Sequence, residues 1–333
     1  MKKLYALLPI LAALLVPGKA SAQMMPDSTV QIVAYWNVGD RVDYLISQES
    51  YDINDEDETM TASSSETVRF EVLAATDSTY TLDISSLDGF STHLSLSEKD
   101  LSSIPGFSLR VRMSQLGEFL ALENLDEILA ALDKAVPALR KATLSGMTPE
   151  EQKAVDKKEL DAYLRQMIAS EQFVDKIAGL YLTPFFYHGS RLDTTMTYSF
   201  DNAFTALGDE SLEMVTYFKV DPELTDDYSA VIRQETVAED VNLAPLVRSS
   251  LGPIAENMFK GAAISREELK EGLQDLQIQA AFEEYTVEEI QLETGWPLAW
   301  VFDRYVTVSE DGKTQGKHIF KQIKLVTEEE TEE

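Results

Sequence analysis

The stretch ETGWPLAWVFDRY, residues 293–305, sets two of the chain's three tryptophans four residues apart with a proline between them. Read as a strand, it alternates between two faces: Trp296, Leu298, Trp300 and Phe302 share one, and Pro297, Ala299, Val301 and Asp303 the other. Both indoles then belong to the oily face of a sheet. Pro297 has no N–H to give a ladder, so it belongs at the start of the strand or on an edge. Paired aromatics in such a row serve packing first, and a curved sheet can turn the same face toward a ligand. The fold depends on whether the rest of the chain keeps this period.

Much of it does. RVDYLIS puts Val42, Tyr44 and Ile46 on one face, TVRFEVLA does the same with Val68, Phe70 and Val72, and TYTLDIS with Tyr80, Leu82 and Ile84. FSLRVRM continues with Phe107, Leu109, Val111 and Met113, and SQLGEF turns through Gly117 into a short strand, EFLALE. These runs predict a meander with one buried face. Strands return after residue 190 in LEMVTYFKV and YSAVIRQET, and the chain closes with EYTVEEIQLE, the tryptophan strand and KHIFKQIKLV. Asp311-Gly312 between the last two predicts a tight hairpin. In EYTVEEIQLE the apolar residues Tyr285, Val287 and then Ile290, Leu292 slip by one, which predicts a bulge near Glu288 and Glu289.

A helical block separates the two sets of strands. Asn124 with Glu127 predicts a capping box, and Thr148 with Pro149 and Glu151 predicts another, opening a longer helix. On that helix Leu160, Tyr163, Leu164, Met167, Ile168, Val174 and Ile177 recur at helical spacing. A further capped helix is expected from Ser265, after a helical stretch interrupted by Pro245 and Pro253. The sequence thus divides into a signal peptide (1–22), an N-terminal sheet region (23–123), a helical region (124–189), a C-terminal sheet and helix region (190–327) and an acidic tail (328–333). Residues 52–66, DINDEDETMTASSSE, read as a mobile loop, and TEEETEE as disordered. The expected fold class is α+β, an extensive curved antiparallel sheet, half-barrel-like, packed with amphipathic helices.

The first residues set the destination. Lys2 and Lys3, the apolar run Leu4–Val16, the Pro17-Gly18 break and Ala20-Ser21-Ala22 form a secretory signal cut near Ala22. The run is too short to span a bilayer, which takes about 20 apolar residues. The protein is therefore expected in the periplasm or outside the cell, with no transmembrane segment. It has no cysteine, which rules out both a lipid-modified N-terminus and disulfides, so stability must come from its core. The net charge is −30, and cleavage removes three lysines and no acid. Nucleic acid is excluded as a partner on that balance. The charge reads as a solvated surface.

Sites of chemistry are scarce. The three histidines, His93, His188 and His318, have no metal-ligand spacing, and no zinc, phosphate-loop or dinucleotide motif occurs. Asp52, Asn54 and Glu56 alternate like calcium ligands, but the sixth position of that pattern is Asp57 instead of glycine and the twelfth is Ser63 instead of glutamate. No metal, cofactor or catalytic residue is assigned. A hydrolase would have to use His188 in YHGSR, the one histidine in a plausible loop setting. The aromatic stretch LYLTPFFYHGS, residues 180–190, is the best hint of a surface for an envelope partner.

AYWNVGDRVDYLIS (Trp36, Gly39, Asp40), SQLGEF and LETGWPLAWVFDRY (Thr294, Gly295, Trp296, Pro297) together resemble a set of exported proteins of unknown activity common in Bacteroidetes. That resemblance implies a cell-envelope or secreted protein and transfers no catalytic residue. A strand entered through Thr-Gly-Trp-Pro and followed by a long hairpin is also similar to the later strands of envelope proteins whose half-barrel sheet wraps over helices, such as periplasmic lipoprotein carriers. Those proteins hold acyl chains between sheet and helices; this chain is longer and more acidic. The function expected is a noncatalytic envelope protein binding an apolar, lipid-like molecule, with Trp296, Trp300, Phe302, Phe70 and Tyr44 as candidate contacts. The alternative is an interaction or structural protein of the envelope.

Overall fold

The computed structural model describes residues 28–87, 108–205, 211–242, 279–310 and 313–326. Five strands precede the helices in one run: β2 (Arg41–Asn54), β3 (Asp57–Ala75), β4 (Thr79–Ser86), β5 (Ser108–Ser114) and β6 (Phe119–Leu122). Six follow: β8 (Tyr198–Thr205), β9 (Ser211–Val220), β10 (Ser229–Asn242), β11 (Gln279–Gln291), β12 (Pro297–Glu310) and β13 (Lys313–Leu325). Each set is an antiparallel meander, and β2 pairs with β13 to join them into an 11-stranded sheet ordered β6-β5-β4-β3-β2-β13-β12-β11-β10-β9-β8. The sheet is curved and open. A separate short ribbon of β1 (Thr29–Gln31) and β7 (Arg191–Asp193) packs against this sheet, Val30 and Leu192 sharing a second core with Val220, Ile232 and Ile290.

The edges β6 and β8 lie at opposite ends of the sheet but are joined in sequence by the helical block, which therefore crosses the sheet. It comprises α1 (Leu125–Ser145), α2 (Pro149–Ala154), α3 (Lys157–Ile168) and α4 (Glu171–Leu182), then a 3-10 turn, Thr183–Phe185. Ile128 and Leu132 of α1 and Val174, Ile177, Ala178 and Tyr181 of α4 are buried with the inward residues of β2 to β5, β12 and β13 in the main core. A smaller core between α1 and α3 holds Val136, Leu139, Leu164 and Ile168. The protein is thus α+β, with amphipathic helices packed on the sheet, as the alternation predicted.

Particular expectations are met residue by residue. Tyr44, Ile46, Val68, Phe70, Val72, Tyr80, Leu82, Ile84, Leu109, Val111 and Met113 are buried. Gly117 turns the chain at φ +94°, and Pro297 opens its strand.

Others are corrected. Residues 52–66 are no loop: they fill the paired ends of β2 and β3, which turn at Asp55 with φ +56°. The single longer helix is three. Asp156 accepts from the N–H groups of Lys158 and Glu159 to start α3, and Ser170 accepts from Phe173 N–H to start α4. The exposed faces of α3 carry Tyr163 and Met167, which the helical spacing had placed inside. Asn124 precedes α1 without capping it; its Oδ1 accepts from Arg110 N–H at 2.8 Å and its Nδ2 donates to the Ser108 carbonyl at 2.9 Å, so it ties the helix start to β5.

The slip in EYTVEEIQLE has a different origin from the one expected. Phe282, Glu284, Thr286, Glu288, Ile290 and Leu292 all face inward without a break, whereas Tyr285 is exposed. The pairing irregularity lies where expected in β11, between Glu289 and Ile290, but the extra residue is Leu298 on β12, passed over between Ala299 and Pro297. The signal peptide, Phe107, the helices expected around 243–278, Asp311-Gly312 and the acidic tail lie outside the described residues. Glu310 and Lys313, on either side of that dipeptide, pair with each other.

Candidate functional site

Antiparallel register fixes which side chains stand in line on the inner face of the sheet, because directly paired residues point the same way. One row runs Thr286, Phe302, Lys321, Gln48, Ser64 across β11, β12, β13, β2 and β3. The next runs Glu288, Trp300, Ile323, Ile46, Glu66 across the same strands. A third pairs Glu284 with Arg304. Opposite these rows α4 offers Phe173, Lys176, Ile177 and Leu180, whose spacing places them on one side of a helix. Sheet and helix meet at Glu66, which accepts from Tyr181 of α4, and part beside it. Between them lies a half-open cavity of about 800 Å³ lined by these rows and that helix face, with Phe186 and Phe200 among its other walls. The volume lies within the range of small-molecule sites, roughly 300–1,000 Å³.

Its walls mix rings with charges. Glu288 is 1% exposed, and its Oε1 has no hydrogen-bond partner among the described residues. Burial pushes the pKa of that carboxyl well above the usual range. Glu66, equally inaccessible, accepts from Tyr181 Oη at 3.1 and 3.2 Å and from Ser86 Oγ at 2.9 Å. Glu284 is bound by Arg304 through Nε and Nη2 at 2.8 and 2.5 Å, and the same guanidinium lies 4.8 Å from the centre of the Phe302 ring. Lys321 reaches the Phe302 ring at 5.7 Å and has no carboxylate partner among the described residues. Burial lowers its basicity first, with the Arg304 and Lys176 cations adding to the effect and Glu284 opposing it.

Trp300 and Phe302 therefore stand on the cavity wall, stacked at 5.6 Å. Trp296, Phe70 and Tyr44 are packed in the core beside it. Tyr44 donates to the Pro297 carbonyl at 2.9 Å and meets Phe70 edge-on. Trp296 stacks on Trp36 at 4.5 Å, in contact with Phe185. The two tryptophans of the opening stretch have parted company: one closes the core, the other faces the cavity.

The segments that carried the family resemblance converge around Trp296. Ala34 N–H donates to the Leu116 carbonyl and Tyr35 N–H to that of Thr294, so the AYW segment is strung between SQLG and ETGW. His188 joins them. Its ring lies against Trp36 and Phe185, and Nε2 donates to the Gly295 carbonyl at 2.7 Å. Burial pushes its pKa down to about 4 against the pull of that carbonyl. A neutral ring locked in this way is a packing element. His318 is far from it in role: it is stacked between Tyr51 and Tyr305, with its nitrogens facing Asp303 and Glu58. No cluster of three metal-ligating side chains occurs among the described residues. In the aromatic stretch 180–190, Phe185 and Tyr187 are buried, while Phe186 is 66% exposed at the cavity rim.

Sequence reading missed Glu288, Glu66, Lys321 and Arg304. In a chain with 58 acids a glutamate carries no signal of its own. The usable clue was the apparent slip in β11, where the inward residues are the polar ones.

No protein-family profile matches the chain, and no curated relative does. Among solved structures, a crystal structure of Ail, the attachment invasion locus protein of Yersinia pestis, aligns with 87% of this chain and all of its own at 6% identity, with a TM-score of 0.15, too low to support any inference.

Proposed function

We propose that this is an exported, noncatalytic binding protein that holds a small molecule with a substantial apolar part in the space between the sheet and α4. The observation behind this reading is the cavity itself: about 800 Å³ bounded by Trp300, Phe302, Phe173 and Ile177, beside the buried main core. A half-open recess of this size lined by stacked aromatics and a few charged groups has the usual form of a small-molecule site. The charged groups on the same walls make the ligand amphiphilic and not purely apolar. No helix among the described residues is long and apolar enough to cross a membrane, which is compatible with release after signal cleavage near Ala22.

Native mass spectrometry of gently purified protein, followed by titration with an uncharged fluorescent naphthylamine probe, tests this. A bound mass of lipid size or saturable uptake is expected, and Trp300→Ala with Phe302→Ala should weaken uptake about tenfold or more, since two large ring contacts are lost. A clean apoprotein that takes up no probe would sink the reading.

A further inference from the structure

Charge is distributed unevenly around the cavity. The chain has 58 acidic and 28 basic residues, yet Lys321, Arg304 and Lys176 converge on one space, two from adjacent strands and one from the helix across from them. Several bases elsewhere are matched: Arg41 with Glu71, Arg69 with Asp43, Arg165 with Asp133 and Arg233 with Asp221. Around the cavity only Arg304 has such a match, Glu284, and its guanidinium takes that carboxylate twice. Lys321 and Lys176 have no carboxylate partner among the described residues. Lys321 is drawn in over a ring, with two like charges near it, an arrangement that costs free energy unless an anion joins it.

The acids in the same walls do not supply that anion. Glu66 is engaged by Tyr181 and Ser86. Glu288 stands one row deeper, beside Trp300, at a fully buried position. The rows thus run from cations near Phe302 to Trp300, Ile323 and Ile46, an apolar middle whose row ends in Glu288 on one side and Glu66 on the other. That gradient describes a head-and-tail molecule.

Resting on the reading of the cavity as a ligand site, we propose that its ligand is an anionic amphiphile. Its carboxylate or phosphate head sits between Lys321, Lys176 and Arg304, and its apolar chain lies on Phe302, Trp300 and the Phe173–Ile177 face of α4. Lys321 supplies the ammonium that selects charge; Lys176 completes the clasp from the helix.

The test uses the full mature chain and four probes that share a dodecyl chain: dodecanoate, dodecyl phosphate, dodecanol and dodecylamine, each displacing the uncharged naphthylamine at neutral pH. The anions are expected to bind about tenfold or more tightly than the alcohol, equivalent to about 1.4 kcal/mol, and the amine most weakly. Added salt should narrow that gap. In Lys321→Met the acid-to-alcohol ratio should fall toward one, and Lys176→Met, on an exposed position of α4, should lower it part of the way. If one anion alone is favoured, the proposal holds and the head group is named by it. Equal affinity for acid, alcohol and amine would overturn the proposal while leaving the cavity a binding site. Failure of the naphthylamine and of all four probes to bind would overturn both.

Discussion

Gly295 shows how much a single missing side chain can determine. It takes φ +75°, and a Cβ there would lie 2.3 Å from the Val33 carbonyl oxygen and 2.9 Å from Ala34 Cα, both backbone atoms that cannot step aside. Gly295→Ala should therefore cost about 3 kcal/mol, from overpacking together with a backbone conformation alanine resists. Gly179, inside α4, would meet nothing within 4 Å, so Gly179→Ala should stabilise by up to about 1 kcal/mol. Urea titration of the pair separates steric closure from general sensitivity to glycine replacement. His188, bonded to the Gly295 carbonyl, provides the second prediction at this scale. Its folded pKa of about 4 lies below the ordinary 6.5, so the unfolded chain binds that proton more readily between the two values. The stability that follows is complete above pH 6.5 and is lost as the pH falls toward 4, by about 3 kcal/mol. His188→Gln should flatten that part of the profile. None of this was visible in YHGSR, where a histidine beside a glycine reads as a loop residue.

Among the elements, the strands with filled inner faces were the legible ones. Val68, Phe70 and Val72 alternate with polar residues because one side of β3 is packed and the other wet, and the sequence records that contrast directly. Where the inner side lines the cavity the contrast reverses: Glu284, Thr286 and Glu288 face in while Tyr285 faces out, so hydrophobic periodicity pointed to the wrong face. The tip of the β2–β3 hairpin was unreadable for another reason. Its Asp, Glu, Ser and Thr residues have no core to face, and the backbone ladder between the strands holds them extended. The helix breaks were legible in principle, since Asp156 and Ser170 are good capping residues, but the heptad-like run of apolar residues across them concealed the interruptions. Ser170→Ala should cost about 1 kcal/mol, the usual loss for a capping side chain. Because α4 carries Phe173 and Ile177 on the cavity wall, it should also weaken naphthylamine uptake more than Asp156→Ala does.

At the scale of the whole molecule, the pairing of β2 with β13 decides cooperativity. The seam runs through eleven residue pairs, from Gln315 opposite Asn54 to Leu325 opposite Tyr44, and the main core draws from both sides of it. Neither meander owns a complete core, so a chain shortened to end at Glu310 is expected to lose the near-ultraviolet tryptophan signal of both halves together. Survival of a folded β2–β6 half would contradict this.

The same seam makes assembly a race. Ten strands of the sheet can be present while β2 and β12 still each display a bare ladder edge, and such edges recruit strands from whichever molecule is nearest. A neighbouring copy's β13 fits as well as the chain's own, so crowding during refolding should yield dimers that have traded this segment. Slow dilution at low protein concentration should favour the monomer.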